Sequence, residues 1–449
     1  MSFPRYAASR DSGVEWLGVV PAHWNVVPIK QLGRLKGGAG FPHDTQGVQG
    51  EELHFHKVNA LSRAAPDGKL QPSDNTISRD AALKLGAFVF PPGTLVFAKV
   101  GAALLLARVC ELKEPACIDN NMMGLVIDGS RCEIGFVRYA MTLVRFDLIA
   151  NPGAVPSLNE GQIGGFALAI PDRREQATIT AFLNGETARI DALVEEQRRL
   201  IELLKEKRQA VISQAVTKGL DPDVPMKDSG VAWLGQIPAH WDHLALKRVS
   251  PSQTVGIVVN PSVYVASEGL PYLYGGDISE DCIDLDGCRR ISAEDSERNA
   301  KTRLQAGDLV TVRVGAPGVT AVVPPEADGG NCASVMLIKR GNFDSRWLCY
   351  TMNDRVVRFQ VEVVQYGAAQ EQFNISHAVE FILPRPGRGE QTLIADHLDK
   401  ETGRLDELVA ETESAMTLLA ERRAALISAA VTGKIDVRGF HPSPASGAV

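Results

Sequence analysis

The chain has 449 residues, 45% of them hydrophobic and 22% charged, with a formal net charge of −7. This is the balance of an ordinary globular chain of two to four domains, not of a disordered one. The negative charge argues against a protein that grips nucleic acid regardless of sequence.

The start, Met1-Ser2-Phe3-Pro4-Arg5, has no apolar run of the kind a signal peptide needs. The longest apolar stretch, near Ala102–Val109, is too short to span a bilayer. Seven scattered cysteines, none at zinc-ligand spacing, read as buried free thiols of a cytoplasmic protein. Charge is uneven: residues 1–171 carry 16 Lys/Arg and 15 Asp/Glu, and residues 221–387 carry 15 and 21.

In chain order, the first feature is the segment DSGVEWLGVVPAHW at 11–24. It returns as DSGVAWLGQIPAHW at 228–241, with eleven of fourteen positions identical. After each copy comes a body, residues 25–165 and 242–380. Short β-like runs such as Gly86–Phe90, Thr94–Ala98 and Asp308–Arg313 alternate there with Gly- and Pro-rich turns. Short helices are predicted near Phe136–Phe146 and Ser345–Phe359. Each body reads as a mixed α/β domain with a curved, mostly antiparallel sheet, which makes the fold class α+β.

A long helix is predicted over 174–218. Apolar residues recur at Ile190, Leu193, Leu200, Leu204 and Val211, a heptad rhythm. Its repeat gives Leu405, Leu408, Ala415, Leu419 and Leu426. Two equivalent stripes in a duplicated chain suggest an antiparallel coiled-coil pair with pseudo-twofold symmetry. A helix of about 45 residues would be about 65–70 Å long, a spacer between the bodies. The alternative is that each helix packs only on its own domain. The expected division is 1–171 and 221–387 for two domains, 172–220 and 388–436 for two helices, and 437–449 for a flexible tail.

Similarity between the halves is high at the ends of each repeat and low in the bodies. Duplication followed by divergence of one part suits ends with one job and bodies with two targets. No Walker A, adenine-methyltransferase, Gly-x-Ser-x-Gly or His-Glu-x-x-His signature is present. His54 and His56 share one face of a probable strand, but no third metal ligand is apparent, and a polar sheet face is the better reading. No catalytic or metal residue is therefore expected.

The doubled Ser-Gly-x-x-Trp-Leu-Gly-x-x-Pro-x-His-Trp opening, Ser12–Trp24 and Ser229–Trp241, is the first mark of a resemblance. The Pro-x-x-x-Glu-Gln helix starts follow, Pro171–Gln176 and Pro386–Gln391. Last comes Ala430–Asp436 with its counterpart Ala215–Asp221. Over essentially its whole length the chain resembles the specificity subunit of a type I restriction-modification system. The resemblance implies two target recognition domains, each reading half of a bipartite site in double-stranded DNA. It implies two modification (methyltransferase) subunits and restriction (translocase/endonuclease) subunits as partners. S-adenosylmethionine, ATP and magnesium would sit on those partners and no cofactor on this chain. Rival readings are the specificity partner of a fused restriction-methylation enzyme, a complete enzyme with an unrecognised centre, and a coiled-coil scaffold that does not bind DNA.

The family pattern does not name base-reading residues, so candidates rest on chemistry. Arg, Asn and Gln can pair with base edges, and Lys and exposed amides suit phosphates. Lys99 and Arg313 hold matching places after matching strands, and Asn120 is aligned with Asn331. Lys57, Asn59, Asn121 and Asn159 join them in the first body. Tyr274, Gln370, Gln372 and Asn374 join them in the second. Arg289-Arg290 and Lys339-Arg340 are read as solvated basic pairs.

Overall fold

The computed structural model describes all residues except 1–2, 44–45, 152, 251, 366–370 and 441–449. Two helices dominate, Arg173–Lys218 and Arg388–Val431, of 46 and 44 residues. Each ends at a glycine with positive φ, Gly219 at +79° and Gly433 at +70°, which a left-handed C-terminal cap favours. The chain forms two compact units, residues 1–198 with 413–449, and residues 199–412. The boundary falls inside both long helices.

Unit 1 has a four-stranded antiparallel sheet in the order Gly33–Gly37, Met122–Ile127, Leu95–Ala98, Val109–Glu111. A three-stranded sheet sets Leu53–His56 between Thr76–Ile77, antiparallel, and Ala116–Ile118, parallel. Asn25–Pro28 pairs with Ala167–Ile170, and the opening segment is a hairpin, Ser9–Asp11 with Val19–Pro21. The core gathers Trp24, Phe97, Phe136 and Phe146 with Phe182 and Leu183 of the first long helix. Ile427, Ala430 and Val431 of the second long helix complete it. Asp191 pairs with Arg423 across the two helix segments of this unit (2.9 Å), and Phe182 meets Phe440, beyond the end of the second helix, edge-on (5.1 Å).

Unit 2 repeats the plan. Its four-stranded sheet runs Gln253–Val255, Met336–Ile338, Leu309–Thr311, Thr320–Val322. Leu270–Leu273 lies between Arg289–Ile291 and Asn331–Cys332. Here the core takes Ile212, Ala215 and Val216 from the end of the first long helix, and Ile394, Ala395 and Leu398 from the start of the second. Arg208 pairs with Asp406 at 3.2 Å.

The repeated motifs fasten this frame. Trp24 Nε1 donates to Glu175 (3.2 Å), which also takes His23 (2.8 Å) and the Tyr6 hydroxyl (2.7 Å). Trp241 and His240 meet Glu390 likewise, at 2.9 and 3.0 Å. Gln176 accepts from Glu133 N and donates to Pro171 O (2.7 and 2.9 Å); Gln391 does the same with Asp344 and Pro386 (2.9 and 3.0 Å). The Glu-Gln at each helix start thus joins the opening hairpin to the body, which explains why both copies keep it.

Three expectations need correction. Gly86–Phe90 is not a strand; only Phe90 bridges, to Ala116. The heptad stripe is off by one in places: Ile190 and Leu204 are buried, but Leu193 and Leu200 are 44% and 42% exposed while Ile201 is 7% exposed. Residues 437–440, assigned to a flexible tail, pack on unit 1, with Val437 buried and Asp436 N donating to Pro4 O (2.8 Å). The rest of that tail, 441–449, lies outside the described residues.

Candidate nucleic-acid interface

In unit 1, a run of backbone hydrogen bonds gathers most of the candidates at one rim of the sheets. Asp119 N donates to His56 O (2.9 Å), directly before Lys57. Lys99 N donates to Asn121 O and Lys99 O accepts from Leu158 N, both at 2.8 Å, directly before Asn159. Gly38 N donates to Met122 O at 3.1 Å. A Cβ on Gly38 would lie 2.2 Å from Asp119 O, so this close approach requires glycine. Lys57, Lys99, Asn120, Asn121 and Asn159 therefore share a rim. Asn59 sits nearby, exposed, in the 3-10 turn Val58–Arg63 that Lys57 opens.

Some of these side chains already have work. Asn159 caps the helix Glu160–Gly165, accepting from Gln162 N at 2.9 Å, which leaves its amide donor for other use. Lys57 Nζ donates to Gln46 Oε1 at 2.8 Å. His56, 4% exposed, has its pKa pushed down to about 4, first by burial and then by His54, so it is neutral beneath the rim. The rings of His54 and His56 are 5.9 Å apart. Among the described residues no group of three His, Cys, Asp or Glu is placed to hold a metal ion.

Unit 2 builds the same rim from different side chains. Phe373 N donates to Arg313 O (3.2 Å), as Leu158 N does to Lys99 O, so Lys99 and Arg313 are structural equivalents. Arg313 Nε donates to Phe373 O at 3.2 Å, and Val314 bridges Gln372. Arg313, Gln372 and Asn374 are thereby brought together; Gln370 lies outside the described residues. Ala333 N donates to Leu273 O (2.8 Å), as Asp119 N does to His56 O. This equates Lys57 with Tyr274, and each opens a 3-10 turn.

The same register corrects the alignment of Asn120 with Asn331. Asn120 corresponds to Ser334, and Asn331 is fully buried, its Nδ2 donating to Asn299 O (3.1 Å) and Thr302 Oγ1 (2.9 Å). A side chain with no exposed surface does not reach a base edge; Asn331 is scaffold. One side chain was undervalued in the sequence. Arg289 lies over the Tyr274 ring at 4.2 Å, a cation–π stack that fixes its guanidinium at the rim. Only the Arg289-Arg290 pair was legible, not its stacking partner fifteen residues away.

No protein-family model matches the chain. Over 346 residues it is 22% identical to the specificity subunit of the type I restriction enzyme EcoBI of Escherichia coli, covering 74% of this chain and 72% of that one. Over most of its length the chain is similar to a type I specificity subunit. Its fold agrees. A chain from a structure of type I restriction-modification complex assembly superposes with a TM-score of 0.68 at 14% identity, covering 92% of this chain and 98% of its own length. The HsdS subunit of Thermoanaerobacter tengcongensis gives 0.50 at 14% identity, over 93% and 98%. Among the described residues no helix is long and apolar enough to cross a membrane.

Proposed function

We propose that this chain is the DNA sequence-recognition subunit of a type I restriction-modification complex and performs no chemistry itself. Each body would read one half of a bipartite site in double-stranded DNA. Two modification subunits would bind the repeated frame and methylate adenine with S-adenosylmethionine. Restriction subunits would add ATP- and magnesium-dependent translocation and cleavage.

One observation carries the reading: the two units share a frame down to individual hydrogen bonds, yet equivalent rim positions hold different side chains. Lys57 faces the role that Tyr274 has, Lys99 that of Arg313, and Asn120-Asn121 that of Ser334. A constant frame under variable donors and acceptors suits two different base sequences read by one mechanism.

Methylation-aware sequencing of DNA treated with the complex of this chain and its modification subunits tests the proposal. Replacing residues 25–165 by the body of a related chain should change one half of the methylated sequence and leave the other. A change in both halves, or methylation indifferent to the swap, would reject it. The mass of that complex at saturation should include two modification subunits per chain.

A further inference from the structure

The two units differ sharply at one equivalent place. In unit 2, the turn between Ile278–Ser279 and Cys282–Ile283 presents Asp281 to three donors. Its carboxylate accepts from Arg208 (3.1 Å), Cys349 Sγ (3.3 Å) and Asn353 Nδ2 (3.2 Å). Arg208 also meets Asp406 at 3.2 Å.

Unit 1 carries the counterparts of these donors without the acid. Tyr139 and Tyr350 bond equivalent helix residues, Asn184 with Thr187 and Asp399 with Thr402. Arg138 therefore stands where Cys349 does, and Thr142 where Asn353 does. Arg423, paired with Asp191 at 2.9 Å, stands where Arg208 does. All three line an open groove of about 970 Å³ between the long helices and the turn Ala64–Gly68. That turn lines the groove with Ala64, Ala65, Pro66 and Gly68, while its one carboxylate, Asp67, is outside the lining and faces Lys69 at 4.0 Å.

Arg138 is the unusual member. Its guanidinium lies against Gly68, where a Cβ would come within 2.2 Å of Nη1, and over the Tyr139 ring at 4.5 Å. Its Nε is buried with no hydrogen-bond partner; Glu111 is near enough to feel its charge, but no carboxylate is within ion-pair distance of it among the described residues. A buried, unpartnered donor on a cation is costly unless something accepts from it. The acids that line the groove are paired with other arginines of its lining, Asp191 with Arg423 and Glu195 with Arg198 (3.6 Å), and not with Arg138.

We infer that this groove is a docking site for an acidic side chain of another protein, which takes in unit 1 the place Asp281 takes in unit 2. The stand-in within the molecule is a carboxylate on a tight turn. The groove also has apolar walls from Leu61, Leu106 and Val109, with Leu106 59% exposed, which suit a turn's flanking residues better than a hydrated phosphate. Because the site exists in one unit only, its partner binds once per chain. The inference is independent of which DNA sequence the bodies read.

The test uses the full chain with labelled methyl groups. The probe is a cyclic peptide, Ile-Ser-Glu-Asp-Ser-Ile, that copies residues 278–283 with Cys282 replaced. It should shift the methyl signals of Leu61, Leu106 and Val109. The Asp-to-Asn peptide and the Arg138→Met chain should each bind at least tenfold more weakly. Equal shifts by both peptides, or none, would overturn the inference. Shifts with inorganic phosphate but not the peptide would also overturn it and assign the groove to a free oxyanion. A second arm needs no ligand: Ala65→Asp should raise Tm, and should no longer do so in an Arg138→Met background. An Ala65→Asp gain that survives Arg138→Met would count against the guanidinium as receptor.

Discussion

Removing the carboxylate of Glu175 would strand two buried donors at once, the indole N–H of Trp24 and the hydroxyl of Tyr6. Each unsatisfied buried donor costs about 1–3 kcal/mol, so Glu175→Ala should destabilise unit 1 by about 2–4 kcal/mol in chemical denaturation. Glu175→Gln, which keeps an acceptor, should cost less. Equal losses would mean that charge, not acceptance, matters here. Asn331→Leu would remove the amide donor to Thr302 Oγ1 and Asn299 O, which stay bonded to each other, and should cost about 0.5–1.5 kcal/mol. The methylated sequence of any folded complex should stay the same, since the side chain is scaffold; a changed sequence would return Asn331 to the readers. His56 gives a pH signature. Its folded pKa of about 4 lies below the unfolded value near 6.5, so the unfolded chain binds the proton first as pH falls. Stability should therefore decline between about pH 6.5 and pH 4, by up to about 3 kcal/mol from this group. His56→Gln should flatten that part of the profile; an unchanged slope would assign it to other groups.

The repeated ends were legible because they are held by a few specific bonds, Trp to Glu and Gln to backbone, that tolerate little change. The bodies were harder. Gly86–Phe90 looks like a strand by composition, yet only Phe90 makes a β-bridge: Gly86 and Ala87 bond back to the preceding helix, and Ala87 and Val89 pack in the cluster around Phe55. Asn120 and Asn331 look alike in sequence, but the second body has one residue fewer between its strands, with Ser334 at φ +60°, and the register moves. The pairing of Lys57 with Tyr274 was invisible for the opposite reason: backbone position is shared while chemistry is not. In the long helices, period was readable but phase was not, since a heptad count is blind to which flank meets the body. Leu200 and Ile201 separate the two phases. Ile201→Ala should cost about 2–4 kcal/mol and Leu200→Ala under about 1 kcal/mol. The reverse order in thermal melts would put Leu200, not Ile201, in the seam.

Each unit is completed by the far end of the other repeat's helix, and this has a consequence for the whole chain. Unit 1 packs Ile427, Ala430 and Val431 into the core that holds Trp24, while unit 2 packs Ile212, Ala215 and Val216 beside Trp241. Gly433 sits against Trp24 and Pro21, and Gly219 against Trp241 and Pro238. The two helix ends are therefore interchangeable parts fitting equivalent sockets. A fragment of residues 1–220 has the socket around Trp24 but lacks 427–433. It does carry 212–219, which fits an equivalent socket. Residues 212–219 are at the far end of a 46-residue helix that begins on the fragment's own body, so that helix would carry them to a second copy rather than back to the first. The fragment should then form a homodimer in which each copy fills the other's socket, a closed twofold exchange. Light scattering should give about twice the fragment's mass. Val216→Asp, which would bury a charge in the socket, should abolish the dimer and lower Tm together. A stable monomer of residues 1–220 with a cooperative melt would show that unit 1 needs no second helix end, and that the exchange is not what closes its core.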